Sequence, residues 1–359
     1  MAMDYMKETK EISAEEAIIL WQASRLSLSK SYEKAPEILK VHDSVIGTLG
    51  NFSASIGKAK SKKTFNVSAI VAAALKNGTV LRYVAELPED KRKVLYVDTE
   101  QSPYHCLKVM TRILRMAGLP DDRDNENLEF LALRKYTPEQ RIRIVEQAIY
   151  NTPEIGLVII DGIRDMVYDI NSPGESTRII SKLMQWTDDR QIHIHTILHQ
   201  NKGDENARGH IGTELNNKAE TVLQVEKDKG NGDISHVSAI HIRAMDFEPF
   251  AFRINDKTLP ELIEGYKPET KKPGRPEEEK FDPYRHITEQ HRIALEAAFG
   301  LKEEYGYKEL EDALIKIYMS VGVKLNHKKA VSLITMLRNK RMIVQENGRK
   351  YTFMPDFHY

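Results

Sequence analysis

The sequence predicts an α/β domain built on a mainly parallel sheet, followed by a small helical unit that ends in a hairpin. Three observations carry that expectation. Short β-rich runs alternate with helical stretches from about residue 45 to residue 254, the pattern of strands joined by crossover helices. A loop of glycine, lysine and serine, residues 57–64, lies between one such run and a helical stretch. Apolar residues then vanish between 268 and 283, where Pro268, Pro273, Pro276 and Pro283 stand among Lys, Arg and Glu, as in a solvated linker. The expected division is an N-terminal helical segment (1–43), the α/β domain (44–265), a linker (266–284) and the C-terminal unit (285–359).

Taken in order, the polar N-terminal stretch holds one amphipathic helix, expected over 12–26. Ser13 or Thr9 would cap it, and Ala17, Ile18, Leu20 and Trp21 form its apolar side. Strands are expected at 52–56, 94–98, 128–133, 157–161, 192–198, 222–226 and 237–243, and helices at 64–76, 104–117, 138–150 and 175–190. Several of the strand runs are apolar without alternation, as strands covered on both faces should be. Beyond the linker, helices at 288–299, 308–319 and 327–340 precede strands at 342–345 and 350–353. Those strands flank Asn347-Gly348, a strong hairpin signal. Three helices followed by a hairpin describe a winged helix-turn-helix.

Composition narrows the class. Among 359 residues, 53 Lys and Arg balance 53 Asp and Glu, and 41% are hydrophobic, ordinary for a globular chain. The single cysteine, Cys106, excludes a disulfide framework or a multi-cysteine zinc site; it reads as buried filler. No apolar run approaches the ~18 residues of a membrane span, and no secretory segment follows Met1. The expectation is therefore a cytoplasmic protein with no membrane partner. The zero net charge hides a local bias. Between 324 and 350, Lys324, Lys328, Lys329, Arg338, Lys340, Arg341, Arg349 and Lys350 face Glu346 alone, a net of +7.

The loop reads Gly57-Lys58-Ala59-Lys60-Ser61-Lys62-Lys63-Thr64, with Phe65 next. The phosphate-binding pattern G-x-x-x-x-G-K-[ST] wraps backbone N–H groups around phosphate oxygens, sets a lysine on the β/γ-phosphates and offers a hydroxyl to Mg²⁺. Gly57, Lys63 and Thr64 match it, and the helix behind adds its dipole. Lys62 replaces the second glycine, at a cost of about 1 kcal/mol if the loop keeps a positive φ there. A basic surface loop is the competing reading. Thirty residues on, strand 94–97 runs into Asp98-Thr99-Glu100-Gln101-Ser102, and strand 157–161 ends in Asp161. A carboxylate in that position stands beside Mg²⁺ at the carboxyl edge of a sheet. Strand 192–198 delivers His199-Gln200-Asn201-Lys202 at the same edge.

These four motifs, in this order, resemble the RecA-fold P-loop ATPases, and within them the RepA-like hexameric helicases of plasmids and mobile elements. The resemblance covers about residues 44–254. It rests on 57–64, Glu100, Asp161, and the stretches Leu198-His199-Gln200-Asn201-Lys202-Gly203 and Ala207-Arg208-Gly209-His210-Ile211-Gly212. It implies an ATP hydrolase, a DNA helicase, that uses ATP and Mg²⁺ and acts as a homo-oligomeric ring, a hexamer in that family, in replication or mobilisation of a mobile element. It further implies nucleotide contacts from Gly57, Lys58, Ala59, Lys60, Ser61, Lys62, Lys63, Thr64 and Phe65. Glu100 would orient the attacking water, Thr64 and Asp161 would hold Mg²⁺, and His199 or Gln200 would sense the γ-phosphate. Loops 162–175 and 202–217, the second with Lys202, Arg208 and His210, would grip single-stranded DNA in the channel. Such rings complete each site with a basic residue from the next protomer, for which Arg243 is the candidate and Lys227 and Lys229 are alternatives. On the winged helix, Lys328, Lys329, Arg349 and Lys350 suit the phosphates of duplex DNA.

Plainer readings stand beside these. Glu100 can cap the helix that starts near Pro103, and Asp161 can cap a turn with Gly162. His193, His195 and His199 share one strand face by period two, which fits a packed face or a metal. Arg243 can be an ordinary solvated arginine. Two other functions are also compatible with the motifs. One is a recombination or repair accessory ATPase that does not unwind DNA. The other is a winged-helix DNA-binding regulator with a nucleotide-switch loop, the reading that Lys62 favours.

Overall fold

The computed structural model describes residues 12–200, 209–266, 282–285, 288–346 and 350–356. Lys202, Arg208, Arg349 and most of the expected linker lie outside the described residues. The chain divides into two compact units, Met1–Pro268 and Glu269–Tyr359.

The first unit runs α1 (Ala14–Ala23), β1 (Glu37–Val41), β2 (Ser44–Thr48), β3 (Phe52–Gly57), α2 (Lys63–Lys76), β4 (Thr79–Val80), β5 (Tyr83–Ala85), β6 (Lys93–Asp98), α3 (Pro103–Ala117), β7 (Leu128–Ala132), α4 (Pro138–Asn151), β8 (Ile155–Asp161), α5 (Pro173–Arg190), β9 (His193–His199), α6 (Gly209–Lys218), β10 (Thr221–Lys227), β11 (Ile234–Ile242), β12 (Phe250–Ile254) and β13 (Pro260–Ile263). A nine-stranded sheet orders these as β13-β12-β11-β10-β3-β9-β8-β6-β7. From β10 through β7 the neighbours are parallel. β11, β12 and β13 extend the sheet antiparallel.

Both faces of the parallel part are covered, which is why β6 and β8 carry apolar residues on both faces. Val94 and Tyr96 of β6 enter one core with residues of α2 and α3, while Leu95 and Val97 enter the other with residues of α4, α5 and α6. Trp186 of α5 is fully buried in that second core, and its indole N–H reaches Glu146 Oε1 at 3.2 Å. β9 departs from the apolar rule. His193 and His195 are fully buried and bonded to Ser53 Oγ and Ser55 Oγ of β3 at 2.7–2.8 Å. Burial holds the His195 pKa down to about 3. This pair is a packed, hydrogen-bonded face. Cys106 is buried in α3.

Several elements differ from expectation. β1, β2, β5 and β4 form a separate four-stranded antiparallel sheet; these strands are short, and β1 against β2 is interrupted by register shifts. The segment 202–217, read as one loop, contains α6, because Ile211 and Leu215, four residues apart, are both buried. Ser13 caps α1 in a reciprocal arrangement with Glu16, but no residue of this helix is buried. Ile18, Ile19, Leu20 and Trp21 are all exposed.

The second unit holds α7 (Thr288–Phe299), α8 (Tyr307–Ser320), α9 (His327–Asn339), β14 (Ile343–Glu346) and β15 (Lys350–Phe353), the last two an antiparallel pair. Leu295, Leu314, Leu333, Leu337 and Tyr351 share its core. Asn326 caps α9, accepting the Lys329 N–H at 3.0 Å. Among the described residues no helix is long and apolar enough to cross a membrane.

Candidate nucleotide-binding site

The parallel strands β3, β6, β8 and β9 all end at one edge, and the loop 57–64 closes over it. Gly57 is required there by space. A Cβ on it would lie 2.3 Å from the Val225 carbonyl oxygen and 2.7 Å from Ser61 Oγ. Lys60 and Lys62 both take the left-handed conformation, with φ of 64° and 67°, at about 1–2 kcal/mol each for a side chain other than glycine. Lys62 thus adopts the backbone that glycine would, and its amine donates to the Asp233 carbonyl at 2.5 Å.

Lys63 turns the other way, into the site. Its amine donates to the carbonyls of Gly57 at 2.8 Å and Lys58 at 3.0 Å, and contacts His199 Nδ1 at 3.0 Å. An ammonium can only donate, so His199 Nδ1 accepts and the ring proton sits on Nε2. That nitrogen faces Glu100 Oε1 at 3.7 Å. The His199 contact holds the Glu100 carboxylate below its ordinary pKa. Burial lowers the Lys63 pKa to about 8, against the opposing pull of Asp161 and Glu100.

Asp161 and Asp98 are the buried carboxylates of the site. Thr64 Oγ1 donates to Asp161 Oδ2 at 3.1 Å and the Tyr96 hydroxyl at 2.9 Å. Burial first, then the charge of Asp98, pushes the Asp161 pKa up to about 7. Asp98 lies directly across the β6–β8 ladder from Asp161. Its oxygens accept the N–H groups of Glu100 and Gln101 and the Gln101 side-chain amide, at 2.7–3.0 Å. Gln200 is buried at the end of β9, and its N–H donates to the Gly57 carbonyl at 3.1 Å.

Residues 60–65, Asp98, Glu100, Asp161 and His199, with Arg112, line a cavity of about 410 Å³. The Arg112 guanidinium stacks 3.7 Å from the Phe65 ring centroid. Arg112 also borders an adjoining groove of about 350 Å³, with Tyr104, Lys108, Arg115 and Lys257.

The expected residues Lys63, Thr64, Glu100, Asp161 and His199 therefore converge on one cavity. Lys58 and Ala59 sit exposed on the loop's outer side. Asp98, Tyr96 and Arg112 were not singled out from the sequence. Asp98 and Asp161 both end strands, a repeat that could have flagged the first. Arg112 is about three helical turns from the nearest motif and carries no such signal. Arg243 is not brought to its own chain's loop. β11 runs antiparallel to β10 and pairs Ile242 with Thr221, so Arg243 emerges at the opposite edge of the sheet, where its guanidinium reaches the Lys218 carbonyl at 3.3 Å. Lys227 lies at the loop's edge instead. His210 is exposed at the start of α6. In the second unit Lys328 is exposed, Lys329 is half-buried, and Lys350 is ion-paired with Glu304 at 2.9 Å.

The donor set suits a hard divalent cation. One hydroxyl and one or two carboxylates are what Mg²⁺ takes from protein, with the rest of its shell from phosphate and water. Asp161 fits because burial and Asp98 leave its charge uncompensated. Residues 29–205 match the AAA domain family. That match supports a P-loop ATPase domain in the first unit, and the strand order and mainly parallel sheet fit a RecA-like P-loop fold. No curated protein matches the chain. A crystal structure of the RadB recombinase overlays with a TM-score of 0.41 at 15% identity, covering 58% of this chain and 90% of that one. With an overlay that loose, the fold rests on the strand order of the chain itself.

Proposed function

We propose that the first unit binds and hydrolyses ATP with Mg²⁺, and that the protein is a DNA-dependent motor of the RepA-like ring helicase type. The observation that carries the reading is the convergence of Lys63, the Thr64–Asp161 pair and the Glu100–His199 pair on one cavity at the carboxyl edge of the sheet. Lys63 would exchange its two carbonyl partners for β/γ-phosphate oxygens. Thr64 and Asp161 would hold Mg²⁺, which supplies neutralisation of charge on the transferring phosphoryl group. Glu100, kept ionised by His199, would orient the attacking water. His199, bonded to Lys63 on one side and facing Glu100 on the other, suits a sensor of the γ-phosphate, with Gln200 beside it. The base and sugar would extend past the Phe65–Arg112 stack.

The finer assignments are parts of the same proposal. Arg243, being remote from its own loop, is available to a neighbouring copy; Lys227 and Lys229 are the alternatives. Lys202, Arg208 and His210 would contact single-stranded DNA. The second unit would act as a winged helix with Lys328, Lys329, Arg349 and Lys350 on duplex DNA. A nucleotide switch without turnover is the less favoured reading, because Lys62 keeps the left-handed backbone of the missing glycine.

The test is ATP hydrolysis with and without single-stranded DNA. DNA-stimulated turnover is expected, lost in both Lys63→Ala and Glu100→Gln. Absence of turnover in the wild-type protein with Mg·ATP and DNA would refute the motor reading. Strand displacement on a forked duplex then separates a helicase from an accessory ATPase.

A further inference from the structure

We propose that Lys62 is a positioning residue that ties the phosphate loop to the β10–β11 turn, so that the turn answers to the state of the loop. The inference rests on reading the loop as the nucleotide site. Lys62 and Lys63 are adjacent, yet their amines go separate ways. At φ 67° and ψ 29° the backbone turns between them. Lys63 reaches inward to Gly57 and Lys58, while Lys62 reaches outward to the Asp233 carbonyl, 171 residues away in sequence. Glycine would give the same backbone but no amine. The lysine therefore adds a contact that the ordinary loop pattern cannot make.

The turn it grips, residues 228–233, is built largely from its own bonds. Asp228 Oδ1 accepts the N–H groups of Gly230 and Asn231, and Asn231 Oδ1 accepts that of Asp233. Asp228 Oδ2 accepts the Tyr266 hydroxyl at 2.7 Å. The Lys62 side chain stands between the loop cavity and a second cavity of about 660 Å³ bounded by Asn231, Asp233, Arg253 and Glu264. A shift of the loop backbone on phosphate binding would therefore be carried by the Lys62 amine to the turn. The turn also carries exposed Lys229 at the same edge, so the tie reaches the basic group there.

Three variants separate the tie from its alternatives. Lys62→Gly keeps the backbone and loses the amine, Lys62→Met keeps the stem and loses the amine, and Lys62→Arg keeps a donor. Hydrogen exchange of amides 228–234, measured without nucleotide, is expected to be about tenfold faster in the Gly and Met variants than in wild type, with Arg close to wild type. Equal exchange in all four proteins overturns the proposal. In turnover assays, Gly and Met raise the KM for ATP about fivefold and lower kcat by less, and Arg restores both. The KM effect persists in high salt; its disappearance there means the lysine acts only as a screened charge, and the tie is refuted. Because the exchange experiment needs no nucleotide, a protein that hydrolyses nothing would sink the ATPase reading and leave the tie standing.

Discussion

Asp161→Asn should stabilise the first unit while abolishing its Mg²⁺-dependent activity. The Asp161 carboxyl is buried, and burial with the nearby Asp98 charge raises its pKa from 3.8 to about 7. A buried acid with a raised pKa weakens the folded state when ionised. The native chain binds more protons than the unfolded chain between about pH 4 and pH 7, so stability falls as pH rises through that window and stays low above it. The full penalty above pH 7 is on the order of 4 kcal/mol. Asparagine resembles the neutral acid at every pH and still accepts from Tyr96 and Thr64. Allowing for imperfect replacement of those two bonds, a net gain of about 1–3 kcal/mol is expected at pH 8. For a unit of this size that raises its melting midpoint by a few degrees, roughly 2–4 °C per kcal/mol. The assay is thermal melting of both proteins from pH 4.5 to pH 8.5, with and without Mg·ATP. The advantage of asparagine should be small near pH 4.5, grow to pH 7 and then level off. With Mg·ATP the advantage of asparagine shrinks, because wild type, keeping its cation ligand, gains the larger binding energy. An advantage that is equal at pH 5 and pH 8, or a variant less stable at pH 8, would show that the ionised carboxylate is not penalised.

Two further outcomes follow from the geometry. Gly57→Ala forces its Cβ against the Val225 carbonyl, so a loss of about 1–3 kcal/mol in stability is expected, along with weaker nucleotide binding; melting and equilibrium titration with a fluorescent nucleotide read both, and an unperturbed loop in either assay would contradict the space argument. Lys328→Ala with Lys329→Ala should weaken duplex DNA binding across sequences and reduce its salt slope by roughly one per lysine removed; an unchanged slope would remove α9 from the DNA surface.

What the sequence made legible was set by local pattern. The strands β3, β6, β8 and β9 are buried on both faces, so they needed no partner to be read, and β6, β8 and β9 each end on a residue that lines the site. Gly57, Lys63 and Thr64 were visible because a phosphate loop is continuous in sequence. Asp98 and Arg112 were not, since one depends on the β6–β8 register and the other on how α3 packs against Phe65. α6 was hidden by its two glycines, which outweighed the short Ile211–Leu215 spacing. The position of Arg243 follows from strand direction: an antiparallel β11 sends its end away from the loop, and β-rich composition does not reveal direction.

The strongest physical pointer to a ligand is the separation of two opposite charges. Burial disfavours the Lys63 ammonium and the Asp161 carboxylate alike. A direct ion pair between them would relieve both, and breaking such a pair is costly in a protein interior. They do not pair. Lys63 is held by two carbonyls and His199, and Asp161 by two hydroxyls. A site that only stabilised the fold would gain by closing that gap. A ligand that presents phosphate oxygens to the lysine and a divalent cation to the carboxylate removes each penalty with the opposite sign. The loop's left-handed lysines add strain to the same place, as happens where stability is given up for binding. On the proposed reading, a metal–triphosphate bound there would lower the free energy of α2 and β8, the elements that carry Lys63 and Asp161.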